Sequence, residues 1–212
     1  MTDLDRQSPP TPVPLVQDFP NPGQRIEHAY RELHLAQHGS PEQKAVLGDF
    51  AALPRPWDPA SVTDPAQRRE LWTWLEAFVS WLNHEHTWDV ATVIPLCWPL
   101  HPHLVHEIAV LADQRRRAGK ALTSDALEEW HRYALPAFAD RMKLRLKSHC
   151  EERHQEWPGR ARYTRHVSDE QRARRGRLYL QDEASRRPAD AEPSSAAPRL
   201  QFVYPATGEV HD

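Results

Sequence analysis

Apolar side chains recur along this chain at the three- and four-residue spacing of helices, in blocks separated by proline-rich polar stretches. The densest block covers residues 71–111. There Leu71, Trp74, Leu75, Phe78, Trp81 and Leu82 form one broad stripe, which Trp72 and Val79 widen. Asp64-Pro65-Ala66-Gln67 opens this helix with an acceptor at the cap, proline at the first position and glutamine at the third. It is expected to run to about His84. Upstream, a helix over 22–37 is expected, with Asn21 as cap, Pro22 leading and Ile26, Ala29, Tyr30 and Leu33 facing inward. Ser40-Pro41-Glu42-Gln43 spells a capping box ahead of a short helix that would bury Val46, Leu47 and Phe50.

Downstream of the dense block, Val90 to Ile94 suggests a short extended piece. Pro102 then opens a helix with Leu104, Val105, Ile108, Leu111 and Ala112 on its inner face. Arg115, Arg116 and Arg117 suit its last turn, and Gly119 its end. A further helix begins at Thr123 or Ser124 and is expected to fade by 153–157. Leu127, Trp130, Phe138 and Met142 form its stripe, and Pro136 predicts a kink near 132–135. A capping-box pattern at Ser168 precedes an arginine-rich helix over 169–183.

These elements predict an all-α protein, a compact bundle of four to five helices over 22–157. Its expected core is Trp72, Trp74, Phe78, Trp81, Trp98, Ile108, Leu111, Trp130 and Phe138. Trp57, in the PRPWDP stretch, is expected to pack on that core. Residues 1–21 read as a disordered proline-rich tail, 158–187 as an arginine-rich helical extension and 188–212 as a disordered polar tail. Seven glycines against twenty prolines disfavour phosphate-cradling loops and turn-rich β architecture. A net charge of −3 demands no polyanionic or membrane partner for the chain as a whole. No apolar run reaches membrane-spanning length, and the first residues show no signal-peptide pattern, so a cytoplasmic location is expected.

Charge placement changes that picture locally. Residues 158–187 hold nine arginines against four acids. Arg160, Arg162, Arg165, Arg172, Arg174, Arg175 and Arg177 are interleaved with Tyr163, His166 and Tyr179, a mixture suited to phosphate contacts and base stacking. A solvated helix would carry the same residues.

The candidate chemistry lies in His101-Pro102-His103-Leu104-Val105-His106-Glu107. On a helix His103, His106 and Glu107 stand at i, i+3 and i+4, with Cys97 shortly before. Cys97, His101, His103, His106 and Glu107 are therefore the candidate metal ligands. With one thiol nearby in sequence, this spacing matches no established metal signature, and no cofactor is expected. Cys97 and Cys150 are too far apart in sequence to suggest a disulfide framework. Neither a nucleophile with its base nor a pair of carboxylates stands out, so no catalytic residue is assigned.

The segment containing Ile94, Pro95, Cys97, Trp98, His101, Pro102, Leu104, Glu107, Ile108 and Leu111, followed by Glu129-Trp130-His131, resembles a family of actinobacterial domains of unknown function. These share an I-P-x-C-W-x-x-H-P-x-L-x-x-E core and are often linked to mobile elements. The resemblance spans about 54–157 and implies a source and a genetic setting, with no activity attached. The expected role is thus a non-enzymatic interaction or adaptor protein with an unidentified protein partner. A nucleic-acid-binding accessory protein acting through 158–187 is the alternative, and a metal-dependent enzyme centred on His101–Glu107 the third.

Overall fold

The computed structural model describes residues 14–147, 150 and 153–185, and among them the regular elements are helical. All-α is therefore the class. Two compact units divide between Gln155 and Glu156.

In the first unit α1 (Gln24–His38), α2 (Pro41–Leu47), α3 (Pro65–Glu85) and α4 (Pro102–Gly119) precede a longer helical run. That run consists of α5 (Asp125–Glu129), a π-helical turn (Trp130–Ala134) and α6 (Leu135–Leu146). The turn lies where Pro136 was expected to disturb the helix. The proline nitrogen has no hydrogen to offer the turn before it, and a wider turn absorbs the mismatch without ending the helix.

The α3 stripe packs as its spacing predicts. Leu71, Trp74, Leu75, Phe78, Val79, Trp81 and Leu82 are buried together with Ile26, Trp98, Leu104, Ile108, Leu111, Trp130 and Phe138. Burying side chains of this size contributes on the order of 2–3 kcal/mol each. Each buried indole also needs an acceptor. Trp74 Nε1 donates to the Pro20 carbonyl at 2.9 Å, Trp81 to Gln17 at 3.1 Å and Trp130 to Leu111 at 3.2 Å. Trp57 packs on this core as expected, its ring 6.1 Å from that of Tyr30. Trp72 departs from the predicted core. It is only half-buried, lying between the Arg68 guanidinium and Trp98.

Several further expectations need correction. The described part of the first 21 residues is no free tail. Phe19 sets its ring edge-on to Phe78 and Trp81 at 6.0 and 5.2 Å, and the Gln17 and Pro20 carbonyls receive the indoles. Residues 1–13 and 186–212 lie outside the described residues, as do the tail assignments that fall on them. Helix α1 starts later than expected, capped by Gly23 rather than Asn21. A Cβ at Gly23 would run into Glu70, whose carboxylate accepts from the Arg25 amide at 2.8 Å. The capping box at Ser40 forms, but α2 buries nothing. Val46 is 88% exposed and Phe50 39%, because seven residues give too short a face to reach the core. Residues Val90–Thr92 form a 3₁₀ turn in place of the expected extended piece.

Arg115 also departs from its helix-end assignment. Its guanidinium lies over Phe19, Trp81 and Trp130 at 5.1–5.7 Å, where a cation is attracted to ring faces. Arg116 meets Asp113, which is 4% exposed, at 3.2 Å.

The second unit contains α7 (Arg160–His166) and α8 (Asp169–Ser185), and neither buries a side chain. Leu178, Tyr179 and Leu180 are all more than half exposed.

Candidate metal centre

The segment joining α3 to α4 carries Pro95, Pro99 and Pro102, too many for one continuous α-helix, so its position is set from outside. Asn83 on α3 clamps it, accepting from the Ile94 amide at 2.9 Å and donating to the Ile94 carbonyl at 3.1 Å. Ile94 and Trp98 are both buried, and Trp98 Nε1 donates to Glu76 at 3.3 Å. A 3₁₀ turn, Trp98–Leu100, starts at the second anchor, with Cys97 before it and His101 after it. The turn brings the two side chains together: Cys97 Sγ lies 3.4 Å from His101 Nε2.

A second cysteine–histidine pair meets the first. Lys147, at φ 51°, ends α6, so the helix does not continue to 153–157 as expected. Cys150 follows at φ 70°, in the left-handed region that costs a non-glycine residue about 1–2 kcal/mol. A backbone held there marks a place where something outweighs the strain. Cys150 is 7% exposed, and its Sγ lies 3.5 Å from His101 Nε2 and 3.9 Å from His154 Nδ1. The Gln155 amide donates to the same sulfur at 3.3 Å. One ligand atom from each of Cys97, His101, Cys150 and His154 lies within 4.8 Å of all the others.

Tetrahedral zinc, with bonds of about 2.3 Å to sulfur and 2.0–2.1 Å to nitrogen, sets neighbouring S and N atoms about 3.5–3.6 Å apart. The observed sulfur–nitrogen contacts of 3.4, 3.5 and 3.9 Å bracket that spacing. Burial, then His154 and His103, holds His101 below the ordinary histidine range, favouring the neutral ring that can ligate. Burial and the neighbouring Cys150 sulfur push the Cys97 thiol up.

The other expected ligands go elsewhere. Glu107 forms ion pairs with Arg141, at 2.8 Å, and with Arg145. His106 is exposed on α4. His103 lies beside His101, ring centroids 5.8 Å apart, but is outside the four-residue group. Its Nε2 is buried without a partner among the described residues. Of the five candidates, only Cys97 and His101 therefore enter the cluster. Cys150 and His154 were missed, although C-x-x-x-H occurs at both 97–101 and 150–154, and that repeat was the available signal.

A separate concavity of about 710 Å³ runs along α4, the π turn and α6. Leu111, Trp130 and Phe138 help line its apolar part, with Glu129 and Arg141 among its charged residues. No protein-family model, no curated protein and no solved structure matches the chain.

Proposed function

We propose that this chain is a non-enzymatic helical interaction module whose first unit is closed by a structural zinc ion held by Cys97, His101, Cys150 and His154. The observation that carries the reading is the convergence of four sulfur and nitrogen donors from two C-x-x-x-H pieces within 4.8 Å. Thiolate and imidazole together suit zinc, and four protein donors fill a tetrahedral shell with no position left for a reacting water. That favours a structural role over a metal-dependent enzyme centred on His101–Glu107. Bound metal would tie the segment after α6 to the turn before α4, a link that apolar burial alone supplies poorly there. The concavity beside Trp130 supports the interaction half of the reading, since it pairs an apolar floor with charged edges.

Cobalt substitution tests both halves of the metal claim. A Co²⁺-loaded chain should show the visible bands of a tetrahedral S₂N₂ centre at one ion per molecule. Cys150→Ser should abolish them and His103→Ala should leave them. Adding azide or a hydroxamate should not change the spectrum. A shift on addition would mean an open, catalytic-type position, and no uptake at all would end the reading.

A further inference from the structure

The metal centre leaves the second unit unaccounted for. Residues 160–177 hold seven arginines and two acids, an excess of five positive charges. The two acids, Asp169 and Glu170, occupy the first turn of α8, where the helix dipole explains them. Two arginines are paired: Arg160 with Glu156 at 3.2 Å and Arg172 with Asp169 at 3.4 Å. Among the described residues Arg162, Arg165, Arg174, Arg175 and Arg177 make no ion pair, and all but Arg175 are exposed.

Like charges at close spacing raise the energy of α7, which has three arginines and no acid. They do the same in the 172–177 stretch of α8, whose four arginines are balanced only by Asp169, Glu170, Asp182 and Glu183 towards the helix ends. Here no buried side chain offsets the cost. A polyanion would relieve that repulsion. The unit also exposes flat rings: Trp157 and Tyr163 are 59% and 53% exposed, their centroids 5.3 Å apart, and Tyr179 is 60% exposed. Closely spaced guanidinium groups beside solvent-facing aromatics match the backbone and the unstacked bases of a single strand, which offers both together. A duplex hides its base faces, and a lipid surface has none.

We infer that α7, α8 and the preceding Trp157 form a single-stranded nucleic-acid-binding arm that contacts phosphates through Arg162, Arg165, Arg174 and Arg177 and stacks bases on Trp157 and Tyr163. The contact is independent of sequence and strongly dependent on salt.

The test uses the full chain with labelled 20-nucleotide single-stranded DNA, single-stranded RNA and duplex DNA, plus anionic phosphatidylserine vesicles, read by anisotropy or co-sedimentation across a salt series. Single strands of one or both sugars should bind, and affinity should fall steeply with salt, with a log–log slope of roughly −3 for about four neutralised phosphates. Replacing the four arginines with glutamine should weaken binding at least about tenfold and flatten the slope. Trp157→Ala with Tyr163→Ala should cost about fivefold or more on single strands and little on duplex. Helical content and metal content should stay unchanged in both variants, which keeps this test separate from that of the metal centre. The DNA and RNA arms distinguish the two sources of the same chemistry. Absence of single-strand binding, preference for duplex or for vesicles alone, or full binding by the four-arginine variant would overturn the inference.

Discussion

The core around Trp81 and the centre around Cys150 belong to one folding unit but differ in what completes them. The core is held mainly by apolar burial among its own residues. Phe19 packs edge to face on Phe78 and Trp81, the Trp74, Trp81 and Trp130 indoles find backbone carbonyls, and the Arg115 guanidinium lies over three ring faces. The centre is not held in that way. It gathers four polar donors and holds one of them in a strained backbone conformation. Chain packing alone gives little reason for such an arrangement, whereas a cation gives a sufficient one.

The largest effect is expected in the core. Trp81→Ala should remove about 3–5 kcal/mol of stability through lost burial and the cavity left behind. Urea unfolding followed by circular dichroism measures it, and a loss below about 1 kcal/mol would mean that the ring is not the keystone its contacts indicate.

Metal removal should be smaller and local. A ligand present at a hundred to a thousand times its dissociation constant contributes about 3–4 kcal/mol, and chelation withdraws it. Hydrogen exchange should then speed up at 97–101 and 153–155 while residues 71–82 keep their protection. Uniform loss of protection across both regions would show that the centre and the core are one cooperative element.

Acidification probes the edge of the core. Burial, His131 and Arg115 hold His86 below the ordinary histidine value, so the unfolded chain takes up its proton first. The stability this neutral ring contributes is therefore present above about pH 6.5 and is lost as pH falls towards the folded-state value. His101 and His103 are shifted in the same direction, so a comparison isolates the effect. His86→Asn should lose less stability between pH 7 and pH 5 than the unaltered chain. An equal loss would remove His86 from the account.

The smallest effect belongs at Val46. Since α2 buries nothing, Val46→Ser should change stability by no more than about 0.5 kcal/mol. A larger cost would restore the helix to the core that its sequence pattern suggested.

What was legible in the chain follows from the range of each interaction. The caps at Ser40 and Asp64 are local, involving residues three apart, and both form. The α3 stripe, Leu71 to Leu82, is a periodic signal over about three turns, strong enough to identify its own buried face. Failures begin where distant residues decide. Trp72 stays half-buried because of what stands opposite it, and no spacing within α3 says so. Gly23 and not Asn21 caps α1, and it is Glu70 from another helix that accepts from the first-turn Arg25 amide. Cys150 and His154 were hidden by the expected continuation to 153–157 of the helix that begins at Thr123 or Ser124. Lys147 carries no glycine-like mark to announce its positive φ, yet it turns the chain there. Near Cys97 the histidines at 101, 103 and 106 give the stronger local signal, while the matching C-x-x-x-H pair lies 53 residues downstream.

Zinc K-edge X-ray absorption on the metal-loaded chain reads the ligand set at the Cys97–Cys150 centre. The expected first shell is two sulfurs at about 2.3 Å and two imidazole nitrogens at 2.0–2.1 Å, falling to one sulfur in Cys150→Ser if any metal is retained. A shell of nitrogen and oxygen without sulfur, or one unchanged by Cys150→Ser, would contradict it.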